Sequence, residues 1–157
     1  MRTLQNLIGF LGRLCLSIIF IVSGLYKVFH WDETKESLVT AIDAHFTSQT
    51  LPVFIQEIFR LILDQLPVFL GIAAGCELMG SALLLLGIGV RFGAFLLLAF
   101  LVPTTFVFHH FWLLEGADQN IQMIMFLKNL AIVGGLLLLL AFGVGSKSQD
   151  SAPKSKA

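Results

Sequence analysis

Four long apolar runs, separated by shorter polar stretches, dominate the pattern along this chain. They extend roughly over residues 7–29, 66–86, 92–109 and 121–142. A helix that crosses a bilayer needs about 17–25 predominantly apolar residues, and each run meets that length. Short connections join the last three runs, and short connections make consecutive helices antiparallel neighbours. The pattern therefore predicts an all-α protein built as a four-helix antiparallel transmembrane bundle.

A longer and more polar segment, residues 31–65, separates the first run from the second. Part of it has helical spacing, with an apolar face and an opposite charged face. The apolar face consists of Ile55, Ile58, Phe59, Ile62 and Leu66. On the charged face, Arg60 is spaced to pair with Glu57 and Asp64. We expect an amphipathic helical loop that lies on the membrane surface, caps the bundle or extends the second span.

The two ends of the chain differ in composition from its middle. Residues 145–157 are rich in Ser and Lys and contain Pro153, which predicts a disordered tail. At the other end, Arg2 precedes the first run as it would in a signal peptide. That run is too long for a typical signal peptide and contains Arg13, so we expect it to be retained. One membrane domain over residues 1–144 is the predicted organisation.

Composition narrows the class of protein. Of the 157 residues, 57% are hydrophobic and only 13% are charged, whereas soluble domains carry about 25% charged residues. The lipid bilayer is therefore the expected environment. The formal net charge is zero, so nothing points to a nucleic-acid partner.

Cys15 and Cys76 have neither a metal-ligand nor a CxxC spacing, so we expect packing thiols rather than a disulfide, and no metal site.

The distribution of Lys and Arg predicts the orientation in the membrane. Basic residues in short loops accumulate on the cytoplasmic side. One side of the predicted bundle holds Arg2, Arg91, Lys147, Lys154 and Lys156. The other side holds Lys27, Lys35 and Arg60 among a larger number of acidic residues. Both termini should therefore be cytoplasmic.

Ionisable residues inside the apolar runs are the first candidates for function. A charged residue at the centre of a span costs roughly 2.5–3.5 kcal/mol, so it needs a partner, a water-filled cavity or a route to the interface. Glu77 is near the middle of the second run, too deep to reach either surface. Small residues share its helical face, so it should point toward another helix. Arg13 in the first run is the partner that we expect for Glu77, and Lys128 with Asn129 is the second candidate.

A second group of polar residues lies toward the other side of the membrane. Lys128 and Asn129 interrupt the fourth run, and His109 and His110 end the third. The whole predicted cluster consists of Arg13, Glu77, Lys128, Asn129, His109 and His110, with Ser17, Lys27 and Thr105 as further lining residues. Such a cluster would bind a quinone head group or another substrate, or relay protons. It would equally serve as a structural ion pair accompanied by plain interfacial histidines.

These residues also carry a family resemblance. The matching segments, in chain order, are RLCLSIIFIVSGLYKV, CELMGSALLLLGIGVRFGA, FHHFW and QMIMFLKNLAIVGGLLLLL. Over roughly residues 7–142 the chain resembles the DoxX family. These are small four-helix bacterial inner-membrane proteins related to the quinone-reactive subunit of thiosulfate:quinone oxidoreductase. Residues 31–65 depart from the family pattern, because this first loop is longer and more acidic than usual.

The resemblance implies the fold and an inner-membrane location, and some members of the family are proposed to sit in redox or oxidative-stress assemblies with soluble partners. From the converging polar side chains we expect a membrane subunit or accessory protein, oxidoreductase-associated, that handles quinone together with a soluble or membrane redox partner. Whether the chain is itself an enzyme and whether it forms a homo-oligomer stay open. The alternative is a non-catalytic assembly protein whose buried ion pair is structural. A small transporter is less favoured, because four helices offer little room for alternating access.

Overall fold

The structure, a computed structural model, describes residues 2–48 and 51–144, and the predicted disordered tail at 145–157 lies outside these residues. Within them the chain forms six α-helices and one short 3₁₀-helix. These are α1 (Arg2–Phe29), α2 (Trp31–Ser48), α3 (Val53–Asp64), α4 (Leu66–Leu86), α5 (Val90–Phe108), η1 (Phe111–Leu113) and α6 (Gly116–Phe142). Four of them, α1, α4, α5 and α6, are long and apolar enough to cross a membrane. The predicted all-α class and its four spans are confirmed.

The helix bounds differ from the apolar runs mainly at two starting points. Helix α1 begins at Arg2 rather than at residue 7, and α6 begins at Gly116 rather than at residue 121. Once a helix is nucleated, each added residue gains one backbone hydrogen bond, so the helix continues past the apolar run into polar turns. Because α1 begins early, Arg13 lies farther from the start of its helix than the apolar run alone indicates.

The four spanning helices pack in chain order, each antiparallel to the next. Helix α1 lies along α4, α4 along α5, and α5 along α6. Each contributes to the core, which includes Phe20, Leu84, Leu97 and Leu136. Helices α4 and α5 approach closely at Gly80 and Gly93, where a Cβ on Gly93 would lie 2.9 Å from the Gly80 carbonyl oxygen. The absence of side chains at these positions permits this approach.

The bundle has two chemically different ends. At one end, Arg91 donates a hydrogen bond from Nη2 to the Ala141 carbonyl oxygen (3.0 Å). Gly87 and Gly89 form the α4–α5 turn there with positive φ angles of 72° and 57°, a conformation that favours glycine. We call this end, which also holds the start of α1, the terminal side. The opposite end, with α2, α3 and η1, is the loop side. Which of the two faces the cytoplasm stays a prediction.

The segment between α1 and α4 folds into two helices, of which the sequence predicted only the second. Helix α2 packs across the loop side through Ala41, Ile42 and His45, all buried. His45 Nε2 donates to the Val107 carbonyl oxygen near the end of α5 (3.2 Å), and the His45 ring contacts Phe59 of α3. Polar residues separate the apolar positions of α2, so its helical periodicity is weak in the sequence.

Helix α3 is the predicted amphipathic helix, and it both caps the bundle and exposes an apolar side. Phe59 is buried against α2. Arg60 Nη1 lies 3.5 Å from Glu57 Oε1, as the spacing predicted. The exposed apolar residues include Phe54, Ile58 and Leu61. These three share one side of the helix, an arrangement that suits contact with lipid at the membrane interface.

Acidification should loosen α2 from the bundle. Burial lowers the pKa of His45 from its ordinary value of 6.5 and the nearby His110 lowers it further, while the carbonyls of Val107 and Phe106 oppose this shift in part. Between the lowered pKa and 6.5 the unfolded chain binds more protons than the folded one, so stability falls as the pH drops through this range. The protection of the α2 amides against hydrogen exchange, after correction for the slower intrinsic exchange in acid, should therefore fall below pH 6.5. His45→Gln keeps a donor without titrating and should remove this dependence; an unchanged profile would contradict the assignment.

Replacing Gly93 by Ala should destabilise the bundle by about 1–3 kcal/mol, because the new methyl group collides with backbone that cannot rotate away. Gly134→Ala is the matched control, since a Cβ there would meet nothing within 4 Å. Thermal unfolding in a mild detergent measures both variants. Equal melting temperatures would show that the α4–α5 contact is not tight.

Candidate functional site

An ion pair lies inside the bundle, as the sequence predicted, but with a different cation. Lys27 Nζ of α1 lies 2.8 Å from Glu77 Oε2 of α4, and the two side chains are 15% and 1% exposed. Lys27 also donates to Ser23 Oγ (2.7 Å) and lies over the Phe100 ring, 5.0 Å from its centroid. Lys27 therefore compensates the buried carboxylate and is itself held by a hydroxyl and an aromatic face.

The predicted Arg13–Glu77 pair is wrong because the register of α1 on α4 differs from the expected one. A Cβ on Gly24 would lie 3.3 Å from the Glu77 Cβ, so Gly24 is the residue of α1 beside Glu77. Arg13 precedes Gly24 by about 16 Å along the helix. Its guanidinium lies beside Gly87, with Nη2 3.6 Å from where a Cβ would be. The free carbonyls at this carboxyl end of α4 favour a cation. Lys27, expected only as a further lining residue, is the partner instead.

The ion pair leaves hydrogen-bonding capacity on Glu77 unused. The Nζ–Oε2 contact is short but is not aligned as a hydrogen bond. Neither carboxylate oxygen of Glu77 has a hydrogen-bond partner among the described residues. A carboxylate has about four acceptor sites on its two oxygens. Glu77 is therefore held by charge and can still accept a hydrogen bond from a ligand or from water.

A cleft on the loop side leads to this ion pair. It has a volume of about 590 Å³ and lies between α1, α2 and α5, within the range of about 300–1,000 Å³ found for small-molecule sites. Its lining includes Ile19, Val22, Ser23, Lys27, Thr104 and His109. Ile19 and Val22 are also exposed on the outside of α1. The cleft therefore opens laterally, on the side where the bundle meets lipid.

Two further contacts shape the edges of the cleft. The Tyr26 hydroxyl donates to Glu33 Oε2 (3.0 Å) and connects α1 to α2. His109 Nδ1 lies 2.7 Å from Gln122 Oε1 of α6 and donates to it. A neutral His109 that donates through Nδ1 keeps Nε2 as an acceptor. The rim of the cleft thus combines a phenol, a carboxylate and an imidazole.

The predicted polar residues on the loop side do not form one cluster. Asn129 Nδ2 donates to the buried Thr105 Oγ1 (3.0 Å), which links α6 to α5. His110 is buried, its Nδ1 donates to the Val107 carbonyl oxygen (3.0 Å), and its ring packs on His45. These contacts are structural links, and Asn129, Thr105 and His110 are not among the residues that line the cleft. His109 and His110 are adjacent in the sequence but have different environments: His109 lines the cleft, whereas His110 packs against α2.

Lys128 is exposed and lies outside the buried cluster in which the sequence placed it. Its Nζ is 3.9 Å from Met125 Sδ on the same helix. Lys128 shares a face of α6 with Gly135, two turns away. A Cβ on Gly135 would lie 3.6 Å from Leu16 of α1. Lys128 therefore lies on the side of α6 that faces α1 but stays exposed, and its flexible stem can reach toward the membrane interface.

The site thus presents hydrogen-bond donors and an acceptor inside an apolar, lipid-open cleft. Lys27 and Ser23 are the donors, and His109 supplies the acceptor. In residues 2–48 and 51–144, no three His, Cys, Asp or Glu side chains are grouped as metal ligands. The sequence analysis missed Ser23, although it precedes Lys27 by one helical turn and so shares its face. The arrangement suits a polar head group on an apolar molecule.

Removing one member of the ion pair should destabilise the fold more than removing both. Lys27→Met leaves a buried carboxylate without its cation, and such a change costs about 3–5 kcal/mol. The combination of Lys27→Met with Glu77→Gln should recover much of this loss. Lys128→Met, at an exposed lysine, is the control and should be close to neutral. Thermal unfolding of the wild type, Lys27→Met, Glu77→Gln and the double variant measures the coupling, and strictly additive effects of the two single changes would argue against it.

Comparison with known proteins agrees with this architecture. The DoxX family model matches residues 8–110, which include Lys27, Glu77 and His109, and the SURF4 family model matches residues 67–156. Inner membrane protein YphA of Escherichia coli (strain K12) is 28% identical over 140 residues, which cover 89% of this chain and 86% of that protein. Inner membrane protein YqjF of the same strain is 26% identical over 150 residues, covering 96% and 95%. No solved structure matches. Since the DoxX match extends over well more than half of its length, this chain is a multi-pass membrane protein of the DoxX family.

Proposed function

We propose that this protein is a quinone-binding membrane subunit or accessory protein of a redox system. The observation that carries the proposal is the Lys27–Glu77 ion pair next to a cleft that opens toward lipid. Both E. coli relatives are named inner membrane proteins, which supports the same location for this chain. Residues 1–144 would form one membrane domain, with both termini in the cytoplasm.

The polar groups of the cleft match the head group of a quinone. Its carbonyl oxygens accept hydrogen bonds, and Lys27 Nζ and the Ser23 hydroxyl would donate them. Ser23 Oγ accepts from Lys27 and lies near the Glu77 carboxylate, so its hydroxyl would donate to the quinone in place of the carboxylate. Thr104 is less suitable, because its hydroxyl donates to the Phe100 carbonyl oxygen. His109 Nε2 would accept from a hydroxyl of the reduced form, the quinol.

The apolar part of such a ligand also has a place. Ile19 and Val22 line the cleft and continue to the outer surface of α1, so an isoprenoid tail would leave the cleft directly into lipid. A quinone, when bound, supplies a two-electron carrier that takes up protons on reduction. In this chain, Glu77 is the group placed to hold a proton, since Oε1 lies outside the ion pair and has no hydrogen-bond partner among the described residues. The electrons would come from a redox partner protein.

A non-catalytic assembly protein is the second candidate, and one observation favours it. Beside the ion pair, a Cβ on Gly24 would lie 2.9 Å from the Leu78 side chain, so α1 and α4 are in tight contact there. The ion pair and this contact together fix the register of the two helices. In that role the cleft would hold only ordinary membrane lipid.

Closing the cleft should remove the bound quinone without disturbing the ion pair. Val22→Trp fills the lipid-open side of the cleft, and the protein purified in mild detergent should lose the quinone that the wild type retains. Val28→Trp is the matched control, because Val28 is exposed on the same helix but does not line the cleft. Organic extraction followed by mass spectrometry measures the quinone per chain.

Two outcomes of this experiment would reject quinone binding. One is a wild-type protein that carries only phospholipid, which leaves the assembly role as the better candidate. The other is retention of quinone by Val22→Trp, which would place the quinone outside this cleft.

A further inference from the structure

The interface between α1 and α4 holds polar atoms that the cleft does not explain. Among the described residues, four buried side-chain atoms have no hydrogen-bond partner: Arg13 Nε, Ser17 Oγ and the two carboxylate oxygens of Glu77. All of them belong to α1 or α4, and they extend from the terminal side to the middle of the bundle. We infer that a file of water molecules enters between α1 and α4 from the terminal side and delivers protons to Glu77.

Ser17 is the strongest single observation. A Ser or Thr inside a helix commonly donates its hydroxyl to the carbonyl oxygen four residues earlier. The residues of this chain that do so include Thr34, Ser37, Thr47, Ser81, Thr104 and Thr105. Ser17 is completely buried and makes no such bond. Its hydroxyl is therefore free to serve a partner between the helices.

Water is the partner that fits these atoms. Buried polar groups without a protein partner are usually joined by internal water, each molecule making several hydrogen bonds. The four atoms include donors and acceptors: the Nε–H of Arg13, the hydroxyl of Ser17 and the oxygens of Glu77. A chain of water can connect such groups in series, whereas an ion or an organic ligand would match only one of them.

The spacing of the polar residues allows a continuous file. Gly24 lies beside Glu77, and Ser17 lies about 10 Å from Gly24 toward the terminal side. Ser81, also fully buried, lies about 6 Å from Glu77 in the same direction. Ser17 and Ser81 therefore differ in depth by about 4–5 Å, a step that one water molecule bridges. Arg13 is one further turn toward the terminal side.

The two ends of the file have different properties. At its entrance, the Arg13 guanidinium lies at the carboxyl end of α4, whose carbonyls offset its charge. At its inner end, Lys27 stands between Glu77 and the cleft. When a proton passes, a water molecule next to Glu77 gives its proton to a carboxylate oxygen and receives one from the next water. No electron moves, so the route does not depend on what the cleft binds.

Infrared spectroscopy of a single thiol tests this route. Ser17→Cys, in a chain that also carries Cys15→Ser and Cys76→Ala, places one S–H group on the file. Its stretching band lies clear of other protein bands and shifts when D₂O replaces H₂O. The matched control carries only Cys76→Ala, so that its single thiol is Cys15, which is exposed on the outside of α1 two residues away. Internal water should make the Ser17→Cys thiol exchange more than about tenfold faster than the thiol of Cys15.

A second variant, Arg13→Leu, tests the entrance of the file, and an experimental density map replaces the thiol measurement if Ser17→Cys does not fold. Adding Arg13→Leu blocks the entrance and should slow the exchange to the control rate. Slow exchange without this change would overturn the water file, and fast exchange despite it would overturn entry from the terminal side. If Ser17→Cys does not fold, an experimental density map of the wild-type protein decides the question. Density for water at Ser17 Oγ supports the file, and side chains packed against that atom exclude it. Loss of quinone from the cleft variant leaves each of these results unchanged.

Discussion

A carboxylate in the middle of a membrane-spanning helix needs a cation beside it, and Glu77 has one in Lys27. This requirement fixes the register of α1 against α4. Because Lys27 is close to the carboxyl end of α1, that end lies near the middle of α4 rather than at its loop-side start. The chain must then return to the loop side, and α2 does this. Trp31, the first residue of α2, lies against α4 near Gly71.

The cleft follows from the same register. Since α1 stops short, α2 occupies the loop-side space that a longer α1 would fill, and it fills that space incompletely. The gap is bounded by the last turns of α1, the first turns of α2 and the end of α5. Lys27 and Ser23 line the gap because the ion pair holds that turn of α1 against the bundle. Stability and the proposed quinone binding would thus both depend on Lys27, which belongs to the ion pair and lines the cleft.

The sequence predicts the four spans and shows that Glu77 needs a compensating cation. It does not identify Lys27 as that cation. Spans depend on apolar length, which is local and additive along the chain. The partner depends on the register between two helices, and an error of a few residues at the start of α1 moves every side chain on it by several ångströms. Helix α2 was not predicted for a related reason. It is held in place by tertiary contacts of a few residues, such as Ile42 and His45, and these produce little apolar periodicity in the sequence.

The three cations inside the spans show how differently one membrane accommodates the same charge. Arg13 lies at the carboxyl end of α4, Lys27 lies beside a carboxylate, and Lys128 is exposed, with a flexible stem that can reach toward the interface. Asn129, next to Lys128 in sequence, points about 100° away around α6 and bonds to Thr105 in the core. The adjacent polar pair in the last span is therefore no composite site. Of the three cations, Lys27 alone is required by a charge on another helix, and it is also the one that lines the cleft.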